Sequence, residues 1–154
     1  EQERGYRPGT ESIHNIVGMD EALKLAYTNI EIEKAYVLGL KAYFIEELKT
    51  YLPNVTFNGG CEDATQSTFT LLNVCLPFAP EKAAMLQFQL DLKGIACSRG
   101  SACQSGSSQQ SHVLTAILDD EKLKQPSVRF SFSIYNTKEE IDYVVQVLKD
   151  FASS

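Results

Sequence analysis

The chain has 154 residues, of which 44% are hydrophobic and 22% charged, with a net charge of −6. That length suffices for one domain with a substantial core, and the composition is that of an ordinary globular protein. The negative charge, with no Lys/Arg block, argues against nucleic acid or an anionic membrane as partner, and no apolar run approaches the roughly 20 residues of a membrane span. The opening Glu1-Gln2-Glu3-Arg4-Gly5 is charged and is no secretory signal. Four cysteines, Cys61, Cys75, Cys97 and Cys103, form no Cys-x-x-Cys pair. They read as free thiols of a reducing cytoplasm, and no structural zinc site is expected.

In chain order, residues 1–10 hold two glycines, a proline and two arginines, which predicts a loop. Thr10 stands where a helix N-cap would. Ile13, Ile16, Val17, Ala22, Leu23 and Ala26 have helical spacing, softened by Gly18. A lone His14 in that helix is read as a surface or packing residue. A longer helix is predicted over residues 29–51, burying Leu38, Ala42, Ile45, Leu48 and Leu52 and turning Lys41, Glu46, Glu47 and Lys49 outward. Tyr51-Leu52-Pro53-Asn54 stops it.

Val55 to Asn58 reads as a short strand ended by Gly59-Gly60, and Thr68 to Leu76 as a strand rich in β-formers. The polar run 61–67 makes Cys61 an exposed thiol, whereas Cys75 is a core filler. Ala79-Pro80-Glu81 opens a helix whose buried face is expected to be Ala84, Met85, Phe88 and Leu92, with Gly94 as its stop. A strand at 95–98 follows. Ser111 to Leu118 is a short helix, with His112 in a structural role, and Asp119 to Pro126 a charged loop. In Ser127 to Ile134, Val128, Phe130, Phe132 and Ile134 face the core, and Arg129, Ser131 and Ser133 face away. Thr137 and Glu140 form a capping box for a last helix burying Ile141, Val144, Val145 and Leu148.

The chain is organised around one stretch, Ile95 to Leu114. It opens as a short apolar strand and becomes a run of Gly, Ser and Gln carrying one thiol, Cys103. Between Cys103 and Val113 there is no large apolar side chain to offset the entropy of ordering, so residues 99–110 are expected to be the least ordered internal segment. Such a thiol is either a mobile nucleophile or a free cysteine in a Ser/Gly connection. Arg129, in an aromatic-rich strand, is either a sheet-edge charge or a fork for a carboxylate.

The run GIACSRGSACQSGSSQQSHVL resembles the active-site loop of the pyridoxal-phosphate-dependent cysteine desulfurases, whose pattern is a strand, Ser-x-Gly-Ser-Ala-Cys, a Ser/Gly-rich loop and Ser-x-Val-Leu opening a helix. Cys97 stands where an aliphatic residue is usual, Arg99 where a small one is, and Gln109-Gln110 where Glu-Pro is common. None of these removes the thiol, and Arg99 would lower its pKa if the two came close. The opening Gln-Glu-Arg-Gly-Tyr-Arg-Pro-Gly-Thr resembles the segment of the same family that reaches across the dimer, and Val128-Arg129-Phe130-Ser131 the segment with the substrate-binding arginine.

The resemblance implies an α+β fold, the small domain of fold-type I aminotransferase-like enzymes: a sheet of about four strands covered by helices and preceded by a long helix. It implies a cross-dimer loop over residues 1–10, a helical connection over 11–52 and a small domain over 53–154. The large cofactor-binding domain has no counterpart in this chain. By residue, it implies that Cys103 carries sulfur taken from L-cysteine as a persulfide, that Arg129 holds the substrate carboxylate, and that Thr10 binds the phosphate of pyridoxal 5'-phosphate from the other subunit of a homodimer. The length from Cys103 to Ser111 resembles that of the long-loop desulfurases serving iron–sulfur assembly, with a scaffold protein or another thiol as sulfur acceptor. The family's Schiff-base lysine follows a Ser-x-His pattern, and neither His14 nor His112 precedes a lysine. Two other readings stay open: a cofactor-free sulfur carrier or redox protein using Cys103 alone, and a non-catalytic interaction domain.

Overall fold

The computed structural model describes residues 2–99 and 111–153, which fall into two units, residues 1–33 and 34–154. In the first, Gln2–Gly5 is a 3-10 turn with Glu3 and Arg4 in the left-handed region, and helix α1 (Ile13–Thr28) follows. Its N-cap is Ser12, so Thr10 is not the cap expected of it. Asn29 separates α1 from α2 (Ile30–Tyr51).

In the second unit three antiparallel strands form one sheet in the order β1 (Thr56–Phe57), β2 (Leu71–Cys75), β3 (Ser127–Ser131). The predicted strands are all longer than those observed. The expected strand at 95–98 is reduced to a bridge between Ser98 and Arg129. The register sets Leu72 opposite Phe130 and Val74 opposite Val128, so one face of the sheet is continuously apolar. Phe132 continues that face, whereas Ile134 is exposed and not in the core. Helices α2, α3 (Pro80–Leu92) and α6 (Lys138–Ser153) supply most of the other core residues. Phe44 of α2 meets Phe130 edge-on at 5.1 Å between centroids and Phe132 at 6.0 Å.

Helix α3 buries a different face from the one expected, while α2 buries the expected Leu48, with Leu52 just beyond its end, but adds side chains not expected in the core. In α2 the buried side chains are Val37, Leu40, Lys41, Phe44 and Leu48, while Ala42 is exposed. Lys41, expected in solvent, is 2% exposed. Its ammonium donates to Ser67 Oγ and Thr68 O, both at 2.9 Å, and burial pushes its pKa down. In α3 the buried face is Ala83, Leu86 and Leu90, and the expected Met85, Phe88 and Leu92 are 50%, 55% and 63% exposed. Removing the Lys41 ammonium forfeits two charge-assisted bonds but also relieves a desolvated charge. Lys41→Ala is therefore expected to cost about 1–2 kcal/mol of stability, read from denaturant unfolding. An unchanged midpoint would show the two effects cancel.

Helix α4 is His112–Ile117, and the expected charged loop contains a further helix, α5 (Asp120–Lys124). Asp119 caps α5 by accepting from the Lys122 N–H at 2.8 Å. The Thr137/Glu140 capping box is present, with Glu140 N–H donating to Thr137 Oγ1 at 3.3 Å and Thr137 N–H to Glu140 Oε2 at 3.1 Å.

Candidate functional site

Directly opposite residues in a sheet share a face, so Asn73, Arg129 and Ser98 stand in one row. That face is polar. Asn58, at the tight turn with Gly59, donates from Nδ2 to Asn73 Oδ1 at 3.0 Å and to Ser127 Oγ at 2.9 Å. Asn73 is held along its backbone as well, because its N–H donates to Cys61 Sγ at 3.2 Å. Asn58, Asn73 and Ser127 are thus locked beside Arg129. Nothing in their local sequence marks them except the Asn-Gly-Gly turn.

Arg129 itself is half-buried. Its backbone and that of Ser98 exchange hydrogen bonds of 2.7 and 3.1 Å. Among the described residues its guanidinium has neither a hydrogen-bond acceptor nor a carboxylate partner, whereas every recorded ion pair uses Arg7 or a lysine. A half-buried cationic fork on a polar face suits a planar anion.

Ser98 begins the path toward Cys103, which lies outside the described residues, as does the rest of 100–110. Arg99, expected as a possible neighbour of the thiol, donates from Nη1 to the Ala83 carbonyl of α3 at 2.7 Å. Beyond the gap, Ser111 is buried and occupies the N-cap position of α4, without a side-chain cap bond.

The other thiols are differently placed. Cys61, expected to be exposed, is 5% exposed. Its Sγ lies 3.3 Å from the Asn73 carbonyl, and burial pushes its pKa up. Cys75 is fully buried, with Sγ 3.3 Å from Gln125 Oε1. Cys97 is half-buried, and burial, with Asp91 nearby, raises its pKa. Alkylation of the native protein near neutral pH is accordingly expected to leave Cys61 and Cys75 unmodified until denaturant is added. Labelling of either at the rate of Cys103 would contradict this placement.

Thr10 belongs to the first unit. It is exposed, and its hydroxyl makes no hydrogen bond among the described residues. Gly9 before it is left-handed at φ 105, and Arg7 is fixed alongside by donating to Gly9 O at 3.3 Å and pairing with Glu11. A free hydroxyl on such a loop fits a phosphate oxygen. No described lysine fits the ring of a pyridoxal cofactor: Lys41 alone is buried, and its ammonium is taken by Ser67 and Thr68. Among the described residues there is no cluster of metal-binding side chains, and no helix long and apolar enough to cross a membrane.

Residues 1–144 match the family described as aminotransferase class-V. Among curated proteins, the cysteine desulfurase IscS of Dictyoglomus turgidum is 35% identical over 148 residues, 96% of this chain and 36% of its own length. That of Photobacterium profundum is 37% identical over 147 residues, covering 96% of this chain and 34% of its own. The chain thus spans about a third of the length of the curated relatives it matches. Among solved structures, a NifS-like protein superposes with a TM-score of 0.74 at 26% identity, over 99% of this chain and 36% of its own. A NifS-like protein from Rickettsia africae gives 0.72 at 25% identity, over 99% and 38%.

Proposed function

This chain belongs to the aminotransferase class-V family, and from that membership we propose that it is the C-terminal part of a cysteine desulfurase, which turns L-cysteine into L-alanine and holds the sulfur as a persulfide on Cys103. The observation that carries the reading is Arg129: a half-buried guanidinium without a partner among the described residues, in register with Ser98, five residues before the thiol. Five residues span at most about 18 Å, so Cys103 can meet a substrate whose carboxylate Arg129 holds.

Each of the chain's residues then has one task. Arg129 pairs both oxygens of the substrate carboxylate and fixes its orientation. The Asn58–Asn73–Ser127 network stiffens the strands that aim it. The Cys103 thiolate attacks the substrate sulfur: an S–S bond forms and the C–S bond breaks. The bonding pair goes to carbon, which takes up a proton as alanine leaves. Thr10 would contact the cofactor phosphate, and pyridoxal phosphate, when bound, supplies an electron sink for the substrate. The lysine that would hold its ring belongs to the part of the enzyme outside these 154 residues. The persulfide passes to an acceptor, most simply the scaffold of a cytoplasmic iron–sulfur assembly, and the full-length enzyme is a homodimer.

The test is direct. With L-cysteine and pyridoxal phosphate, the 154-residue chain alone is expected to release no sulfide. Joined to the lysine-bearing remainder, it releases sulfide and carries an additional sulfur on the Cys103 peptide in mass spectra. Sulfide release by the chain alone, or a trapped sulfur on another cysteine, would sink the reading.

A further inference from the structure

On the side of β3 away from β2, the described residues form one pair of a ladder. Arg129 and Ser98 exchange both backbone hydrogen bonds, and the next such pair of an antiparallel ladder would be Ser131 with Ala96. Among the described residues no hydrogen bond joins those two. The Phe132 N–H donates to Thr70 O at 2.8 Å, so alternation points the peptide groups of Ser131 away from β2. There a groove of about 580 Å³ opens. Ala96 and Ser131 line it together with Phe132, Tyr143 and Val144, and with Glu139 and Glu140 from the start of α6. Both carboxylates are ionised. The Glu140 carboxylate, accepting from Asn136 Nδ2 and the Thr137 N–H, and the Glu139 carboxylate, bonded by its own N–H, are held below the usual range. Among the described residues neither forms an ion pair; Lys138 lies over the Tyr43 ring at 4.9 Å and reaches Glu139 only through its charge.

We propose that this groove docks an extended segment of a partner protein, which adds a short strand to β3 at Ser131 with an apolar side chain flanked by basic ones. Unpaired peptide groups at ladder spacing call for a backbone rather than a compact small molecule. The aromatic and aliphatic lining takes the apolar side chain, and the two unpaired carboxylates select basic neighbours. The groove does not depend on the cysteine chemistry proposed above.

The test titrates the isotopically labelled 154-residue chain with the capped peptide Thr-Lys-Val-Arg-Thr and with its charge-reversed counterpart Thr-Glu-Val-Glu-Thr. The basic peptide is expected to shift the Ala96 and Ser131 amides saturably and to bind about tenfold more tightly than the acidic one. Ala96→Trp, which fills the groove from an exposed position, abolishes binding, and Glu139→Gln weakens it about threefold while the melting temperature holds. Equal affinities, shifts confined to other surfaces, binding that survives Ala96→Trp, or no binding at millimolar peptide would each overturn the proposal. So would sedimentation showing that Ala96→Trp instead breaks a self-associated form, since the occupant would then be a second copy of the chain.

Discussion

In the full-length desulfurase proposed above, Cys103→Ser is expected to stop persulfide formation, lowering turnover on the order of a thousand-fold or more, because the attacking atom itself is gone. Cofactor and substrate should still bind, since neither Thr10 nor Arg129 is touched. The other cysteines provide the contrast. Cys61 is enclosed beside Asn73, Cys75 is buried against Gln125, and Cys97 is half-buried with a raised pKa. Cys61 and Cys75 lack access and the Cys97 thiol has a raised pKa, so Cys61→Ser, Cys75→Ser and Cys97→Ser should retain turnover. The measurement is single-turnover alanine release with peptide mass spectrometry of the trapped sulfur. An active Cys103→Ser enzyme would remove the thiol from the mechanism altogether.

Arg129→Ala is expected to raise the KM for cysteine about 10- to 100-fold with the cofactor still bound, the equivalent of about 1.5–3 kcal/mol for a lost charge-assisted pair. Stability separates this role from a structural one. The guanidinium has no protein partner among the described residues, so its removal breaks no ion pair and the melting temperature should shift little. The strand register, made by the backbones of Asn73, Arg129 and Ser98, is kept. A large loss of stability with an unchanged KM would make Arg129 a structural residue. Arg129→Lys should recover only part of the affinity, since an ammonium lacks the planar fork.

Where one local signal had one physical solution, the fold was legible in the sequence. Val128, Phe130 and Phe132 alternate because one face of β3 meets α2, and Thr137 and Glu140 satisfy each other's backbone donors. Elsewhere local polarity misleads. Cys61 sits in a polar run and looks exposed, yet the run folds inward on itself: Ser67 Oγ donates to Cys61 O at 3.0 Å, and Asp63 takes the Thr65 amide at 2.8 Å. Lys41 looks like a solvent residue until Ser67 and Thr68 bring acceptors to it, and those come from 26 and 27 residues away. The apolar side chains of α3 surround the helix, so spacing alone permits more than one buried face, and packing chooses Leu86 and Leu90. The candidate site rests on motifs read from the sequence, with Thr10 and Arg129 among the described residues and Cys103 outside them. The Asn58–Asn73–Ser127 brace was not legible there, because it joins three distant segments by geometry alone.

The β2–β3 ladder clamps both ends of a long excursion. Cys75 pairs with Ser127, and Leu76 N–H donates to Pro126 O at 2.9 Å, so everything from α3 through the thiol-bearing segment to α5 leaves and returns at one closed point. Length added between Ser98 and Ser111 costs only a loop-closure entropy that grows logarithmically, and it moves neither strand. A backbone cut there would leave two fragments that still share a sheet and a core. The scaffold is therefore insulated from changes of length in that span, and insertions or deletions there are absorbed without refolding the domain.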